Sequence, residues 1–491
     1  MEFLKNLSHE KKVFWTFLLV HLLVWSGIGL IRTVLPTDSL EGIFWGSLHD
    51  FGTPKHPPLA GWLTYLAYMP FKIDFSIYLM SQLFIVAGFV YIYKLARNFV
   101  DDNKAMLSVI LLEGCWSYSY VTGYYGFNPD VILLFTLPVM CYYFYKCMKT
   151  DRPVDWIILG LVTGLSFLNK YQTALIALPL LIWAVVFKRD VFKQWKIYVS
   201  ALLAFLIFLP HILWLVKYDF FPFLYFENEL SATSWWNHIT APLLFFIMQI
   251  AVIAGSLVIY LITRLRYKQP FVIEKNYSKK DLVFILLVAF TPLLIHMGMG
   301  FMDGGTMRPR WGFEFWFMIG ILLFYFFPYK VEKKQFDFIT KLSYVVMLIV
   351  FLSLGTLLTV EKNYRSRYPV GTVYNGLNAI WKQNVNSPMK YVGGYIEWTL
   401  PLTIYSEGHP TCMLDTFGYP SPWVDENDLK ASGIMVIDRT VRELERDFRQ
   451  ACPYLPKDYK IDAKPYSFTL YNALKMPREY TIYYMIVPPM K

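Results

Sequence analysis

Charged residues are scarce in this sequence: Asp, Glu, Lys and Arg make up 17% of its 491 residues, whereas 56% are hydrophobic. A soluble globular domain usually carries about 25% charged residues, so this composition excludes an ordinary soluble protein. Glycine-rich nucleotide-binding motifs are absent too, since neither a P-loop nor a G-x-G-x-x-G opens a helix. The sequence therefore gives no indication that a nucleotide is bound.

Cysteine is also rare, with five residues, and neither C-x-x-C nor H-E-x-x-H occurs. Cys412 and Cys452 lie near the C-terminal end, where a disulfide and two free thiols are both compatible with the sequence. A divalent metal stays an open alternative, with Glu227, Glu229 and His238 as its candidate ligands. No other cofactor is expected.

Long apolar runs recur almost to residue 360, and most can cross a bilayer at about 1.5 Å per helical residue. The first run ends without a small-residue cleavage site, so we expect a retained helix rather than a signal peptide. The predicted spans are 13–31, 76–96, 105–123, 130–148, 155–169, 171–187, 197–217, 241–263, 282–299, 312–329 and 338–360. The chain is therefore predicted to be a mainly α-helical, multi-pass membrane protein with about eleven transmembrane helices.

The basic residues that flank these spans are distributed unequally. With the N-terminus in the cytosol, the cytosolic segments carry 23 Lys and Arg residues, and the external loops before residue 361 carry 7. Because cytoplasmic loops are enriched in Lys and Arg, this asymmetry predicts a cytosolic N-terminus and an odd number of spans. It also accounts for most of the net charge of +10, so nucleic-acid binding is not needed to explain that charge.

The composition changes after residue 360, which divides the chain into a membrane domain (1–360) and a C-terminal domain (361–491). The last 131 residues hold 16 of the 46 Lys and Arg residues. Here "MKYVGGYIEW" and "GIMVIDRT" are typical of strands, and "TVRELERDFRQAC" of an amphipathic helix. We therefore expect a soluble α/β domain, which eleven crossings place outside the membrane.

Ionisable residues near a membrane usually mark function, and here they collect in the predicted external loops. The first of these loops, 32–75, contains Asp38 and Glu41. One interpretation is a capping box, with Asp38 at the N-cap and Glu41 three positions later. The other is a carboxylate pair that accepts a proton or holds a cation. The two interpretations are compatible, because a cap also aims a carboxylate.

The second external loop contains "NPD" at residues 128–130. Asn at an N-cap followed by Pro is a favourable helix start, and Asp130 then suits the positive end of the helix dipole. Asp130 is also the only charged residue of its loop, so a functional carboxylate is the alternative.

Basic residues supply the remaining candidates. Lys55 and His56 precede Pro57-Pro58, which we expect to open an interfacial helix over 59–71. Lys55 either snorkels to the surface or neutralises an anionic group near the headgroups. Arg308 and Arg310 either anchor headgroups or bind phosphate, for which the arginine geometry is suited. Lys170 stands alone in a tight external turn, against the positive-inside pattern.

Three segments carry a family resemblance. They are "TDSLEGIFWGSLHDFGTPKHPPLAGWL", "YYGFNPDVILLF" and "GLVTGLSFLNKYQTALIALPLLIWA". They resemble the dolichyl-phosphate-mannose–protein mannosyltransferase-like proteins, glycosyltransferase family 39, and the related bacterial family that transfers aminoarabinose to lipid A. The similarity covers roughly residues 10–330, and "RPRWG" fits a basic-Trp motif late in the membrane half.

The resemblance implies a GT-C fold in a bacterial inner membrane, a periplasmic C-terminal domain, and an external site that uses a polyprenyl-phosphate sugar. It implies that Asp38 is the base or essential acid, with Glu41 as its companion. It further implies that Lys55 contacts the donor phosphate and that Asp130 belongs to the site. The aminoarabinose enzymes carry Glu, implicated in metal binding, directly before that lysine. Pro54 stands there in this sequence and His56 replaces a Pro, which argues against the same metal site.

The expected activity is an inverting, single-displacement sugar transfer from the polyprenyl-phosphate donor, with Asp38 as general base and basic residues at the phosphate. The acceptor stays open between lipid A, another glycolipid, a glycan and a protein. The alternative function is a transporter or flippase of lipid-linked saccharides. Transporters usually show internal repeats and charges at mid-membrane depth, and we find no repeat here.

Overall fold

The structure, a computed structural model, describes residues 7–224, 234–270, 278–305, 307–360, 366–414 and 421–490. The chain divides into two compact units. The first unit comprises Met1–Gly29, Phe51–Ala60 and Phe75–Leu354, and the second comprises Leu30–Asp50, Gly61–Asp74 and Gly355–Lys491. The loop 32–75, which is predicted to be external, therefore contributes residues to both units.

Seven helices among the described residues are long and apolar enough to cross a membrane. They are His9–Ile31, Phe75–Ala96, Pro129–Thr150, Trp195–Lys217, Asn237–Arg266, Lys279–Asp303 and Lys333–Val360. Each coincides with one of the predicted spans. The mainly helical, multi-pass architecture predicted from the sequence is therefore confirmed.

The other four predicted spans form shorter helices. Pro153–Asn169 and Tyr171–Phe187 are apolar but shorter than the seven. The run 105–123 divides into a helix, Asp102–Ile110, a 3₁₀ turn, Leu111–Gly114, and a second helix, Tyr120–Tyr125. The run 312–329 begins as a 3₁₀ helix, Pro309–Met318, and continues as an α-helix, Ile319–Phe326. The number of eleven crossings stays a prediction.

Small residues allow two pairs of these helices to approach closely. A Cβ atom at Gly88 would lie 2.5 Å from the carbonyl oxygen of Leu134, and one at Gly160 would lie 2.6 Å from that of Ser200. Neither distance leaves room for a methyl group, so both contacts depend on glycine. Such small-residue contacts are common between membrane helices, where close packing replaces the hydrophobic driving force.

The second unit contains two short helices from the external loop and a sheet domain. The first loop helix is Thr37–Ser47, and the second loop helix is Leu59–Tyr68, which enters this unit at Gly61. The two helices cross where Gly46 meets Gly61, since a Cβ atom at Gly46 would lie 2.2 Å from the Gly61 carbonyl oxygen. A helix thus follows Pro57-Pro58 as expected and ends at Tyr68, whereas its interfacial position stays a prediction.

The sheet has five strands in the order β2-β1-β3-β5-β4. Its strands are β1 (Tyr391–Gly394), β2 (Thr411–Leu414), β3 (Ile434–Asp438), β4 (Lys464–Tyr471) and β5 (Pro477–Val487). Strand β1 pairs in parallel with β2 and β3, and β5 pairs antiparallel with β3 and β4. Every residue of β3 is buried, as expected for a central strand. The predicted α/β fold of the C-terminal segment is confirmed.

Helices accompany this sheet. Val370–Asn384 precedes β1, and the strands from β1 to β4 are connected in turn by the domain helix Ile396–Tyr405, Glu426–Ser432 and Val441–Ala451. The last of them is the predicted amphipathic helix, whose Leu444 and Phe448 are buried in the core below the sheet.

Two local predictions have a clear outcome. The capping box at Asp38 is wrong, because the first loop helix begins at Thr37 with Pro36 at its N-cap, and no side chain caps this end. Asp38 instead lies within the first turn, where its charge suits the helix dipole. Cys412 and Cys452 are free thiols, both buried, and Cys412 contacts Thr399 Oγ1 at 3.1 Å.

Candidate active site

A lysine and two carboxylates meet in the first unit, and we name Lys170, Asp130 and Glu314 the ion cluster. The Lys170 ammonium donates hydrogen bonds to Asp130 Oδ1 and, at 3.3 Å, to Glu314 Oε1. The three side chains are 12%, 10% and 0% exposed, respectively. Burial lowers the pKa of Lys170, but the two carboxylates outweigh it and raise that pKa above its ordinary value. The lysine therefore keeps its charge although it is buried.

Local backbone structure brings Lys170 to Asp130. Asn128 caps the helix Pro129–Thr150 by accepting hydrogen bonds from the amides of Asp130 and Val131 at 2.9 and 3.1 Å, so the predicted helix start is confirmed. The Asn169 side chain then donates to the Pro129 carbonyl at 2.9 Å. The turn that carries Lys170 is thereby fixed to the helix start that carries Asp130.

Glu314 is a site residue that the sequence analysis missed. It lies in the 3₁₀ helix Pro309–Met318, inside an apolar run that was predicted to cross the membrane. The side-chain amide of Gln249 holds this helix, because its nitrogen donates to the Pro309 carbonyl at 2.8 Å and its oxygen accepts from Trp316 Nε1 at 2.9 Å. A lone Glu within an apolar run is itself a functional signal, so the sequence contained a usable indication.

A further cation, Arg310, acts on the ion cluster. The Arg310 guanidinium lies over the Tyr125 ring, 5.7 Å from its centroid, and its charge acts on both Asp130 and His56. Desolvation, followed by the charge of Lys170, lowers the pKa of His56 to about 3, and Lys55 contributes in the same direction. The His56 ring is therefore neutral at physiological pH, so it can accept or donate a hydrogen bond without adding charge.

Lys55 is held by a tight turn that begins at Thr53. The Thr53 hydroxyl accepts from the amides of Lys55 and His56 at 3.3 and 2.9 Å, and donates to the His56 carbonyl at 2.8 Å. Such side-chain-to-backbone bonds fix the local chain in place of regular structure. The turn ends directly before the proline pair, so Lys55 has a defined position although it belongs to a loop.

The structure thus gathers five of the predicted site residues in the first unit: Lys55, His56, Asp130, Lys170 and Arg310. It adds Glu314 to them. Arg308 is half-buried at the N-cap of the same 3₁₀ helix as Arg310. Sequence reasoning did not indicate that these segments meet, because their contacts join residues 40 and 144 positions apart.

The carboxylates Asp38 and Glu41 belong to the second unit. They lie three positions apart on the first loop helix and therefore on one face of it. Asp38 is half-buried in the first turn, and Glu41 is 3% exposed. A partly accessible carboxylate next to a buried one is an arrangement suited to proton transfer at the accessible group.

The predicted metal site stays a prediction, because two of its three candidate ligands lie outside the described residues. Glu227 and Glu229 lie outside the described residues, and His238 Nδ1 contacts the Phe301 carbonyl at 3.1 Å. In the part of the chain that the structure describes, no three His, Cys, Asp or Glu side chains form a group able to hold a metal ion.

Comparison with known sequences gives relatives for part of the chain. Residues 55–214 match the family model of dolichyl-phosphate-mannose-protein mannosyltransferase. The lipopolysaccharide core galacturonosyltransferase RgtA of Rhizobium johnstonii is 24% identical over 195 residues, which cover 38% of this chain and 39% of the relative. The lipid A galacturonosyltransferase RgtD of the same organism is 25% identical over 197 residues, 37% of this chain and 38% of the relative. The chain therefore matches well under half of the length of these curated relatives.

Comparison with solved structures covers nearly the whole chain. The crystal structure of ArnT from Cupriavidus metallidurans in the apo state superimposes with a TM-score of 0.63 at 13% identity, covering 95% of this chain and 97% of the other. At this identity the likeness shows a shared fold. The segment that matches the family model contains Lys55, His56, Asp130 and Lys170, and so most of the residues gathered in the first unit. Over residues 55–214 the chain is thus similar to the dolichyl-phosphate-mannose-protein mannosyltransferase family, and over nearly its whole length it shares the GT-C fold of ArnT.

Proposed function

We propose that this protein is a membrane glycosyltransferase that transfers a sugar from a polyprenyl-phosphate donor to a hydroxyl acceptor on the external face of a bacterial inner membrane. The observation that carries the proposal is the buried contact of Lys170 with Asp130, both in the family-matched segment, with the charge of Arg310 acting on the same carboxylate. The names of the relatives, which are glycosyltransferases, support the same activity.

Positive charge is what the leaving group of this reaction needs. When the glycosyl–phosphate bond breaks, the bonding electrons stay with the polyprenyl phosphate, which gains negative charge. Lys170 is already compensated by two carboxylates. We therefore assign the phosphate contacts mainly to Lys55, Arg308 and Arg310, and the organisation of these cations to Lys170 and Asp130.

The acceptor needs a base. Its hydroxyl attacks the anomeric carbon and gives up a proton as the new bond forms, and Asp38 is the proposed acceptor of that proton, with Glu41 as its buried companion. The leaving phosphate needs no proton at neutral pH, so one base is sufficient. A single displacement from the face opposite the phosphate inverts the anomeric configuration.

Glycolipids of the outer membrane are the first acceptors to test. The relatives are named for the lipopolysaccharide core and for lipid A, which makes this class of acceptor the leading candidate here. Other glycans and protein hydroxyl groups are the next classes. Mass spectrometry of lipid A and surface glycans from a deletion strain, complemented or not with the gene, identifies the class by the sugar that disappears.

The decisive experiment measures transfer by the purified protein from a radiolabelled polyprenyl-phosphate sugar to lipid A. We expect transfer with inverted configuration, and a loss of about 100-fold or more in Asp38→Asn, because a missing general base typically costs 10²–10⁴ in rate. Asp458→Asn, at an exposed aspartate of the same unit, is the matched control and should keep full activity.

Two results would contradict the proposal. Full transfer by Asp38→Asn would remove Asp38 as the base. Movement of the lipid-linked saccharide across reconstituted vesicles without any transfer to acceptors would favour a transporter instead.

A further inference from the structure

One tyrosine of the C-terminal segment joins both ends of the external loop. The Tyr405 hydroxyl, at the end of the domain helix, accepts a hydrogen bond from the Leu35 amide at 3.1 Å. It donates toward the Asp74 carboxylate, whose two oxygens both lie at 3.0 Å. Leu35 is near the entry of the loop and Asp74 is near its exit. All three residues belong to the second unit.

The bond to Leu35 lies next to the start of the first loop helix, whose N-cap residue is Pro36. The first loop helix begins two residues later, at Thr37, and no side chain caps this end. A helix start without a cap leaves its first turn dependent on outside contacts. Pro36 lies between Leu35 and the helix, and its ring restricts the backbone angle φ at this position. Fixing the Leu35 amide therefore also restricts the position of the first helical turn.

The segment before Leu35 is held in the same way. The Thr33 amide donates to the Ser366 carbonyl at 3.0 Å, and the Arg367 guanidinium donates to the Ile31 carbonyl at 2.6 Å. Alternate residues of the loop entry are thus bonded to the C-terminal segment. The Tyr405 bond is the last of the three before the helix that carries Asp38, and the one closest to that carboxylate in the chain.

Chemistry at Asp38 requires accurate placement of its carboxylate. Small displacements of a reacting group lower a rate steeply, even when the binding of substrate is unchanged. Since the Tyr405 hydroxyl makes its bonds through one atom, the loss of that oxygen alone would remove the hydrogen bonds at both Leu35 and Asp74.

We propose that Tyr405 is a positioning residue for Asp38, which through hydrogen bonds to the Leu35 amide and the Asp74 carboxylate clamps the two ends of the external loop and fixes the first turn of the helix. The inference rests on the proposed function, since it gives Asp38 the role of general base. It assigns to the C-terminal domain a part in catalysis that does not require contact with the sugar.

The test compares variants in the purified enzyme with the polyprenyl-phosphate sugar and lipid A as substrates. Tyr405→Phe keeps the ring and removes the oxygen, so we expect kcat to fall about tenfold with the KM for the donor within twofold. Tyr391→Phe is the matched control, because Tyr391 also donates to a carboxylate of the second unit, Asp428, away from the loop. It should keep wild-type kcat.

Two further variants separate positioning from folding. Asp74→Asn retains an oxygen that accepts from Tyr405 and should keep most of the activity, whereas Asp74→Ala should behave like Tyr405→Phe. In an Asp38→Asn background, Tyr405→Phe should cause no additional loss, since it acts through Asp38. A general loss of folded protein would instead lower both backgrounds alike.

The outcomes distinguish the inference from the function on which it rests. Full kcat in folded Tyr405→Phe, or an additional loss in the Asp38→Asn background, overturns the positioning role and leaves the transferase intact. No transfer by the wild-type protein to any acceptor, or full transfer by Asp38→Asn, overturns the proposed function and the inference with it.

Discussion

At the scale of single residues, the ion cluster shows why a buried lysine is retained near the membrane. The Lys170 charge is tolerable because it bonds to Asp130 and to Glu314, both of which are shielded from water. Removing one member of such a buried ionic group destabilises a protein more than replacing the whole group by apolar residues, since the remaining charge is left buried without a partner. The same reasoning explains why Glu314 can lie in an otherwise apolar segment.

Replacement of Lys170 should therefore affect stability as well as activity. Lys170→Met leaves Asp130 and Glu314 without their shared cation, and we expect a loss of about 3–5 kcal/mol, the usual cost of removing one partner from a buried ion pair. A fluorescence melting curve in detergent measures the loss as a lower Tm. Lys457→Met, at an exposed lysine of the sheet domain, is the control and should leave Tm unchanged.

A double variant, Lys170→Met with Glu314→Gln, tests whether unpaired buried charge causes this loss of stability. Removing the acid together with its lysine reduces the unpaired buried charge, so the double variant should be more stable than Lys170→Met alone. A Lys170→Met protein with wild-type Tm would show that the cluster contributes nothing to folding.

At the scale of elements, the crossing of the two loop helices depends on one glycine pair. Because Gly46 packs directly on the Gly61 carbonyl, even a methyl group at position 46 must push the backbones apart. The first loop helix carries Asp38, so this movement would displace the proposed base as well as loosen the packing.

Gly46→Ala should accordingly lower both stability, by about 1–3 kcal/mol as for other overpacked contacts, and kcat. Gly371→Ala is a suitable control, since Gly371 lies in the helix Val370–Asn384 and a Cβ there meets no atom within 4 Å. It should leave activity unchanged and stability equal or up to about 1 kcal/mol higher, because alanine favours a helix. Unchanged kcat and Tm in Gly46→Ala would show that the crossing tolerates displacement.

Most of these elements could be predicted from the sequence, and the exceptions share a cause. Periodicity and apolar length indicate the long helices and the strands β1 and β3 of the sheet domain, because both are local patterns. The break at Leu111–Gly114 is not local: a Cβ at Gly114 would lie 2.3 Å from the Ser256 amide nitrogen, so the turn follows from a contact with a distant helix. The position of Asp130 in the first turn of its helix could be predicted from the Asn128-Pro129 helix start. Its pairing with Lys170 and Glu314 could not, because it depends on how separate segments pack.

At the scale of the whole molecule, the distribution of basic residues predicts which side of the membrane each part faces. The predicted cytosolic segments carry 23 Lys and Arg residues and the predicted external loops carry 7, which favours a cytosolic N-terminus. An odd number of spans then predicts that the sheet domain lies in the periplasm. The proposed chemistry needs this orientation, because the sheet domain includes Tyr405 and the proposed sugar acceptor is on the external side.

Cysteine labelling tests the orientation directly, since all five native thiols are buried and should react slowly with a membrane-impermeant maleimide. A cysteine introduced at Lys460, exposed in the sheet domain, should label in intact spheroplasts. The matched variant Lys334→Cys, at a 61% exposed side chain in a predicted cytosolic segment, should label only after the membrane is permeabilised. The opposite labelling pattern would show that the topology is inverted. Asp38, Lys55 and Arg310 would then have to bind their substrates on the cytosolic side.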